Sequence, residues 1–165
     1  MTVKRAYLSL GSNLGERDKN LERALALLER EQIRIVARSS IYETEPQDVA
    51  GQPWFLNIAV ASQTRFFPLQ LLTAVLRIER EMGRVRRLPR GPRVIDIDLL
   101  LFGSTVTDTP RLTIPHPRML ERRFVLEPLL EIAPELYHPG TKRPLRDYLS
   151  AVKAQKLRVK PQLSQ

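Results

Sequence analysis

The chain has no cysteine and only two histidines, His116 and His138, among its 165 residues. The first absence excludes disulfides, thiolate metal centres and cysteine nucleophiles. No apolar stretch approaches the roughly twenty residues needed to cross a bilayer. The first apolar run, residues 3–10, is interrupted by Lys4 and Arg5 and leads straight into patterned sequence, so neither a secretory leader nor a membrane partner is expected and the location is read as cytoplasmic. There is no glycine-rich phosphate loop of the Walker or Rossmann kind, no internal repeat and no low-complexity segment. Any nucleotide must therefore be bound by side chains and metal rather than by a backbone cradle.

What is present is ordinary in bulk and uneven in charge. A content of 42% hydrophobic and 27% charged residues suits one globular domain with an adequate core. The formal net charge of +9 marks a surface that attracts anions. Much of that excess lies in two places: the run Arg84, Arg86, Arg87, Arg90 and Arg93, and the stretch Lys153, Lys156, Arg158 and Lys160. A single domain over residues 1–150 followed by a flexible, solvated basic tail over 151–165 is the expectation.

The most informative feature is a pair of carboxylates, Asp96 and Asp98, inside the strand-like run Val-Ile-Asp-Ile-Asp-Leu-Leu-Leu-Phe (94–102). Residues two apart in a strand share a face, so the two acids project together while Ile95, Ile97, Leu99 and Leu101 project to the other side. Like charges side by side on a partly desolvated face need a cationic partner. Hard oxygen ligands favour magnesium, which usually completes its shell with substrate phosphates, and the arginines just upstream suit phosphate oxygens. Acids and arginines together describe a polyphosphate site.

The rest of the chain gives these residues a frame. Residues 3–10 read as a strand ending at Gly11-Ser12-Asn13, and Leu21, Ala24, Leu25 and Leu28 recur at helical spacing after it. Residues 33–42 read as a second strand and 45–53 as an irregular proline-bearing loop. In the third strand, residues 55–64, Leu56, Ile58 and Val60 alternate with Phe55, Asn57, Ala59 and Ala61. Pro68 opens a second helix with Leu72, Val75, Ile78 and Met82 on its buried stripe and Gly83 as its stop. A short hairpin over 105–114 and a helix over 124–133 follow the acid strand. Strand, helix, strand, strand, helix, strand is the order of an α+β, ferredoxin-like βαββαβ sandwich. That order predicts an antiparallel sheet, two helices on one face, the other face free for Asp96, Asp98, Phe55 and Asn57, and a C-terminal helical and hairpin extension.

Four segments in order carry a resemblance: Leu-Gly-Ser-Asn-Leu-Gly (10–15), Phe-Leu-Asn-Ile-Ala-Val (55–60), Gly-Pro-Arg-Val-Ile-Asp-Ile-Asp-Leu-Leu-Leu-Phe-Gly (91–103) and Leu-Thr-Ile-Pro-His-Pro-Arg-Met (112–119). With them, residues 3–149 resemble the 6-hydroxymethyl-7,8-dihydropterin pyrophosphokinase family, enzymes that move a pyrophosphoryl group from ATP to a pterin alcohol in folate synthesis. The resemblance implies that Asp96 and Asp98 hold two Mg2+ ions bridging to ATP, and that Arg84 and Arg93 join them as catalytic, phosphate-facing residues. It implies a pterin site of Thr44, Glu45, Pro46, Gln47, Phe55, Asn57 and Phe124, with Arg93 and Asp96 at its edge. For ATP it implies Glu79, Leu99, Arg111, Thr113, His116 and Arg122, together with Arg84 and Arg93. Several positions depart from the family's pattern: Glu45 and Gln47 replace apolar residues, Phe55 a tyrosine, Pro117 an aromatic and Leu76 a glutamine. Arg90 stands where an aromatic can cover the pterin. Loops 45–53 and 84–92 are expected to order over bound substrates. The expected partners are these two small molecules, acting on a monomer.

A nucleic-acid module is the main rival, because the charge and the sheet order also suit an RNA-binding platform. Two acids on the open face would repel phosphates, and the stacking aromatics of such platforms are absent. A regulatory domain that binds a metabolite without turnover is the second rival, and paired acids flanked by arginines make more sense for phosphoryl transfer.

Overall fold

In the computed structural model, residues 2–47, 51–83 and 92–161 are described. The expectations for Arg84, Arg90 and the loop spans 48–50 and 84–91 fall outside the described residues. The elements run β1 (Lys4–Ser12), α1 (Arg17–Arg30), β2 (Arg34–Arg38), β3 (Tyr42–Thr44), β4 (Phe55–Thr64), α2 (Pro68–Glu81), β5 (Asp96–Phe102), β6 (Thr107–Asp108), β7 (Thr113–Ile114), α3 (Arg123–Ile132) and β8 (Leu157–Val159). Short 3-10 helices cover Met119–Glu121 and Leu145–Val152. Among the described residues no helix is long and apolar enough to cross a membrane.

The protein is a mixed α+β structure around an antiparallel sheet ordered β5-β1-β4-β3-β8, with β2 also paired to β4; β6 and β7 form a separate hairpin. The single strand expected over residues 33–42 is two strands, both paired to β4. Ser39 causes the break: its N–H donates to the Ala59 carbonyl at 2.9 Å, and its hydroxyl accepts from Ala59 N–H at 2.9 Å and donates to the Ser40 carbonyl at 2.8 Å. A side chain that bonds to nearby backbone competes with the ladder and ends it.

The periodicities expected from sequence build one core. Leu21, Ala24 and Leu28 of α1, with Leu71, Val75 and Ile78 of α2, bury one face of the sheet against Leu8, Leu10, Leu56, Ile58 and Val60. Each fully buried leucine in that layer contributes about 2 kcal/mol. In α2 the buried stripe runs through Leu71 rather than Leu72, which is only half-buried. Pro68 opens this helix, and Gln70 Oε1 accepts from Phe67 N–H at 2.8 Å.

Two expectations about the other face are corrected. It is not free: α3 and the 3-10 helices cover part of it, burying Val125, Leu126, Leu129, Leu145 and Val152 against Ala59 and Leu101. Nor does Leu101 share a side with Ile97 and Leu99. Leu8 pairs with Leu99 but Tyr7 with Leu101, so Leu100 is an extra residue that reverses the alternation. Leu101 joins the second core and Phe102 the first.

The basic stretch, expected as a flexible tail from residue 151, is placed against the body as far as Pro161. Leu157, Arg158 and Val159 pair with Thr44, Glu43 and Tyr42. Lys160 Nζ lies 2.6 Å from Asp18 Oδ2. The expected boundary at residue 150 falls inside the 3-10 helix Leu145–Val152, whose end residue Val152 is buried. The backbone groups of residues 157–159 gain ladder partners on the otherwise open edge of β3, which the charge pattern alone does not reveal.

Candidate active site

Strand register sets the floor of the site. Gly11 is flanked by Asn57 on β4 and Asp96 on β5, and Ser9 by Ala59 and Asp98. The two rows share the face away from α1 and α2, with the smallest side chains in the middle. A Cβ on Gly11 would sit 2.5 Å from Asn57 Oδ1 and 3.4 Å from the Phe55 ring. Glycine at this position therefore lets the amide and the aromatic lie flat over the strand.

A first recess opens above this floor, walled by the loop Thr44–Gln47, by Phe55 and Asn57, by Arg122 and Phe124 at the start of α3, and by Arg93, Asp96 and Asp98. Asn57 is 3% exposed, and its amide donates to Thr44 Oγ1 at 2.6 Å, so its carbonyl end is oriented before any ligand arrives. The Arg122 guanidinium lies over the Phe124 ring, 5.4 Å from its centroid. Asn13 ties the entrance together. Its carbonyl oxygen accepts from Arg93 N–H at 2.7 Å, its amide donates to Gln52 Oε1 at 3.0 Å and to the Pro53 carbonyl at 3.1 Å.

A second recess lies between α2, β5 and the β6–β7 hairpin. It is lined by Leu72, Leu76, Glu79, Arg111, Thr113, His116 and Pro117, and again by Asp96 and Asp98. Glu79 is 4% exposed and its carboxylate accepts from Ile97 N–H at 2.8 Å, which pins the backbone between the two acids. His116 Nδ1 accepts from Arg118 N–H at 3.2 Å, which leaves the proton on Nε2, 4.0 Å from Asp98 Oδ1. Burial and then the Arg122 charge hold the imidazole down at about 4, against the opposing pull of Asp96. It is neutral at physiological pH and acts as a hydrogen-bonding group.

The two acids are at the junction of the recesses. Asp96 Oδ2 is 2.9 Å from Arg93 Nη1, and Asp98 Oδ2 is 3.7 Å from Arg122 Nη1. Both side chains remain partly open, at 20% and 26% exposure. Among the described residues no third carboxylate, histidine or cysteine joins them in a cluster. A cation held here takes two protein carboxylates and finds its other ligands in water or phosphate, which suits magnesium and not a closed structural site.

The described site residues expected from sequence fall into two groups that share Asp96 and Asp98. Thr44, Glu45, Pro46, Gln47, Phe55, Asn57, Arg93, Asp96 and Phe124 come together in the first recess. Glu79, Leu99, Arg111, Thr113 and His116 come together in the second, where Leu99 also belongs to the helix-side core at 6% exposure. Arg122, expected beside the nucleotide residues, lines the first recess instead. Ser9, Gly11, Asn13 and Gln52 were not singled out as site residues. For Gly11 and Asn13 the signal is the Gly11-Ser12-Asn13 strand end, where a glycine and an amide close an apolar run; Ser9 and Gln52 carry no such signal.

The chain matches the family described as 7,8-dihydro-6-hydroxymethylpterin-pyrophosphokinase (HPPK) over residues 7–134. It belongs to this family. A 2-amino-4-hydroxy-6-hydroxymethyldihydropteridine pyrophosphokinase of Pseudomonas aeruginosa is 46% identical over 138 residues, covering 83% of this chain and 85% of that protein. Its Bacillus subtilis counterpart is 45% identical over 137 residues, 82% of each. The folic acid synthesis protein fol1 of Schizosaccharomyces pombe is 44% identical over 157 residues, which is 94% of this chain but 21% of that protein. Thus an HPPK chain of this length spans about a fifth of its fungal relative. The fold alone is shared with a Plasmodium falciparum HPPK-DHPS solved with pteroate, at TM-score 0.75 and 18% identity, covering 91% of this chain and 44% of that one.

Proposed function

We propose that the protein transfers the pyrophosphoryl group of ATP to the hydroxymethyl oxygen of 6-hydroxymethyl-7,8-dihydropterin in cytoplasmic folate synthesis, releasing AMP. One observation carries this reading: Asp96 and Asp98 line both recesses at once. Two substrates bound on either side of the acids would meet over them. The first recess, with an oriented amide, an aromatic and backbone groups, fits a flat polar heterocycle. The second, with Arg111, Thr113 and a neutral histidine, fits a nucleotide. The sheet path β5-β1-β4-β2 with both crossing helices on one face supports the finer description as a ferredoxin-like split βαβ.

In the proposed step, the pterin hydroxyl oxygen forms a bond to the β-phosphorus in line with the departing oxygen. The bond from that phosphorus to the α,β-bridging oxygen breaks, AMP leaves with that electron pair, and the hydroxyl proton passes to solvent. No protein nucleophile is required. Magnesium, two ions in this reading, would be held by Asp96 and Asp98 and would neutralise phosphate charge. The protein's own share is position and field. Arg93 stands beside the acids to meet charge building on phosphoryl oxygens, Arg84 belongs to the same role, and Asn57 and Phe124 hold the acceptor alcohol in reach. Purified protein with ATP, magnesium and the pterin is expected to form AMP in equal amount to pyrophosphorylated pterin, and none when pterin or metal is left out. A folded protein that forms no AMP overturns the proposal.

A further inference from the structure

Residues 153–160 lie beyond the family match, which ends at residue 134, yet they are tied to both walls of the first recess. On one side Leu157 pairs with Thr44. The turn that follows Thr44 is then held reciprocally: Glu45 N–H donates to the Lys156 carbonyl at 3.2 Å, and Lys156 N–H donates to Glu45 Oε1 at 2.8 Å. The Glu45 carboxylate is thus engaged by this segment.

On the other side Gln155 reaches α3. Its carbonyl oxygen accepts from Arg123 N–H at 2.8 Å, and its amide donates to the Glu121 carbonyl at 2.8 Å. The first N–H groups of a helix lack partners within it, and the Arg122 side chain at the cap position does not cap them. Gln155 takes that role from a distant part of the chain. Arg123 answers by donating from Nη1 to the Gln155 main-chain carbonyl at 2.9 Å, a bond separate from the one its N–H makes to Gln155 Oε1. It sits between Arg122 and Phe124, both of which line the recess.

We propose that residues 153–160 are a positioning strap for the pterin side of the site, with Gln155 as the positioning residue that sets Arg122 and Phe124 against the Thr44–Gln47 turn. The assignment of this recess to pterin rests on the proposed function. The physical logic is preorganisation: a flat ligand gains most from two walls already held at the right separation, because their ordering is then completed in folding and not charged to binding. Gln155 lines neither recess, so its effect is indirect. The bonds named here join the strap to the walls of the first recess, so the effect is expected to be one-sided.

The test compares full-length wild type with Gln155→Ala and Gln155→Glu. In Gln155→Ala the KM for pterin is expected to rise about fivefold, the scale of one lost hydrogen bond, with kcat and the KM for ATP unchanged. Gln155→Glu keeps the acceptor for Arg123 N–H and is expected to recover most of that loss. A purely structural role would lower kcat with the folded fraction and leave both KM values alone, and that result overturns the strap. Amide exchange of the ligand-free proteins gives a second readout, with faster exchange expected in Gln155→Ala at residues 44–47 and 122–126. If wild type makes no AMP, the functional reading fails, and exchange still decides the strap: loosened walls uphold it, and unchanged exchange at those residues overturns it.

Discussion

One face of one sheet does two different jobs along its length. At one end the cross-strand row Asn57–Gly11–Asp96, with Ser9 and Asp98 beside it, leaves a polar floor on the first recess, and its two acids line the second recess as well. A few residues on, Tyr7 pairs with Leu101, and Leu101 packs under α3 with Leu126 and Leu129. The two ends are continuous in backbone and differ in side-chain size and in what lies above. Chemistry and stability are therefore separable within a single strand, and substitutions three residues apart in β5 should report on different quantities.

The largest expected effect is at the open end. Asp98→Ala removes a carboxylate that faces both recesses, so turnover should fall by roughly 10²–10³-fold, the scale seen when a group stabilising transition-state charge is deleted. Its melting temperature should hold, since the residue supports no core packing and its removal relieves repulsion with Asp96. Steady-state AMP formation alongside thermal melting measures both. Undiminished turnover would mean that the paired acids do not hold the metal.

At the covered end the expected outcome reverses. Leu101 is 2% exposed, and Leu101→Ala leaves a cavity beneath α3 that should lower unfolding free energy by about 2–5 kcal/mol. Turnover per folded molecule should be unchanged. Denaturant titration paired with active-site-normalised rates tests this, and a changed rate at constant folded fraction would show that the two ends are coupled.

The sequence carried half of this contrast. Period-two alternation places Asp96 with Asp98 and Leu56 with Ile58 and Val60, because a strand's faces are fixed by parity alone. Parity fails at Leu100, where an extra residue enters β5, and nothing in Leu-Leu-Leu distinguishes a bulge from regular strand. A helix over 124–133 was equally legible, but which surface it covers depends on contacts far apart in sequence. The same holds for Gln155 and Arg158, ordinary polar residues in a basic stretch until β8 is seen beside β3. Composition and period report local geometry; the covering of a face and the filling of a sheet edge are decided between distant segments.

Gly11→Ala probes the floor of the open end. The added methyl would lie 2.5 Å from Asn57 Oδ1, so the amide must turn and give up its oriented bond to Thr44. The KM for pterin is expected to rise about tenfold, equivalent to ~1.4 kcal/mol, with the KM for ATP close to wild type. Equal changes in both constants would mean that the floor shifts as a whole, and the distinction between the recesses would fail.

The smallest effect belongs to a tie at the covered end. Tyr42 Oη donates to Glu131 Oε1 at 2.5 Å, fastening α3 to β3. Burial, the hydrogen bond and the Glu131 charge all push the phenol up from its ordinary value. The Glu131 carboxyl is held below its ordinary value: burial opposes this, but hydrogen bonds from Tyr42 Oη and from Ser40 outweigh it. A lowered carboxyl stabilises the fold above its ordinary pKa and loses that contribution as pH falls through the lowered value. A raised phenol stabilises below its ordinary pKa and loses that contribution as pH rises. The tie is therefore complete at neutral pH and weakens toward acid as Glu131 takes up a proton. Because Glu131 is largely solvated, Tyr42→Phe should cost on the order of 1 kcal/mol at neutral pH, without change in either KM. Melting of the two proteins across pH 3 to 8 checks the sign, the difference being constant near neutrality and narrowing in acid. A gap that persisted undiminished into acid would mean that the phenol is held by packing and not by the Glu131 charge.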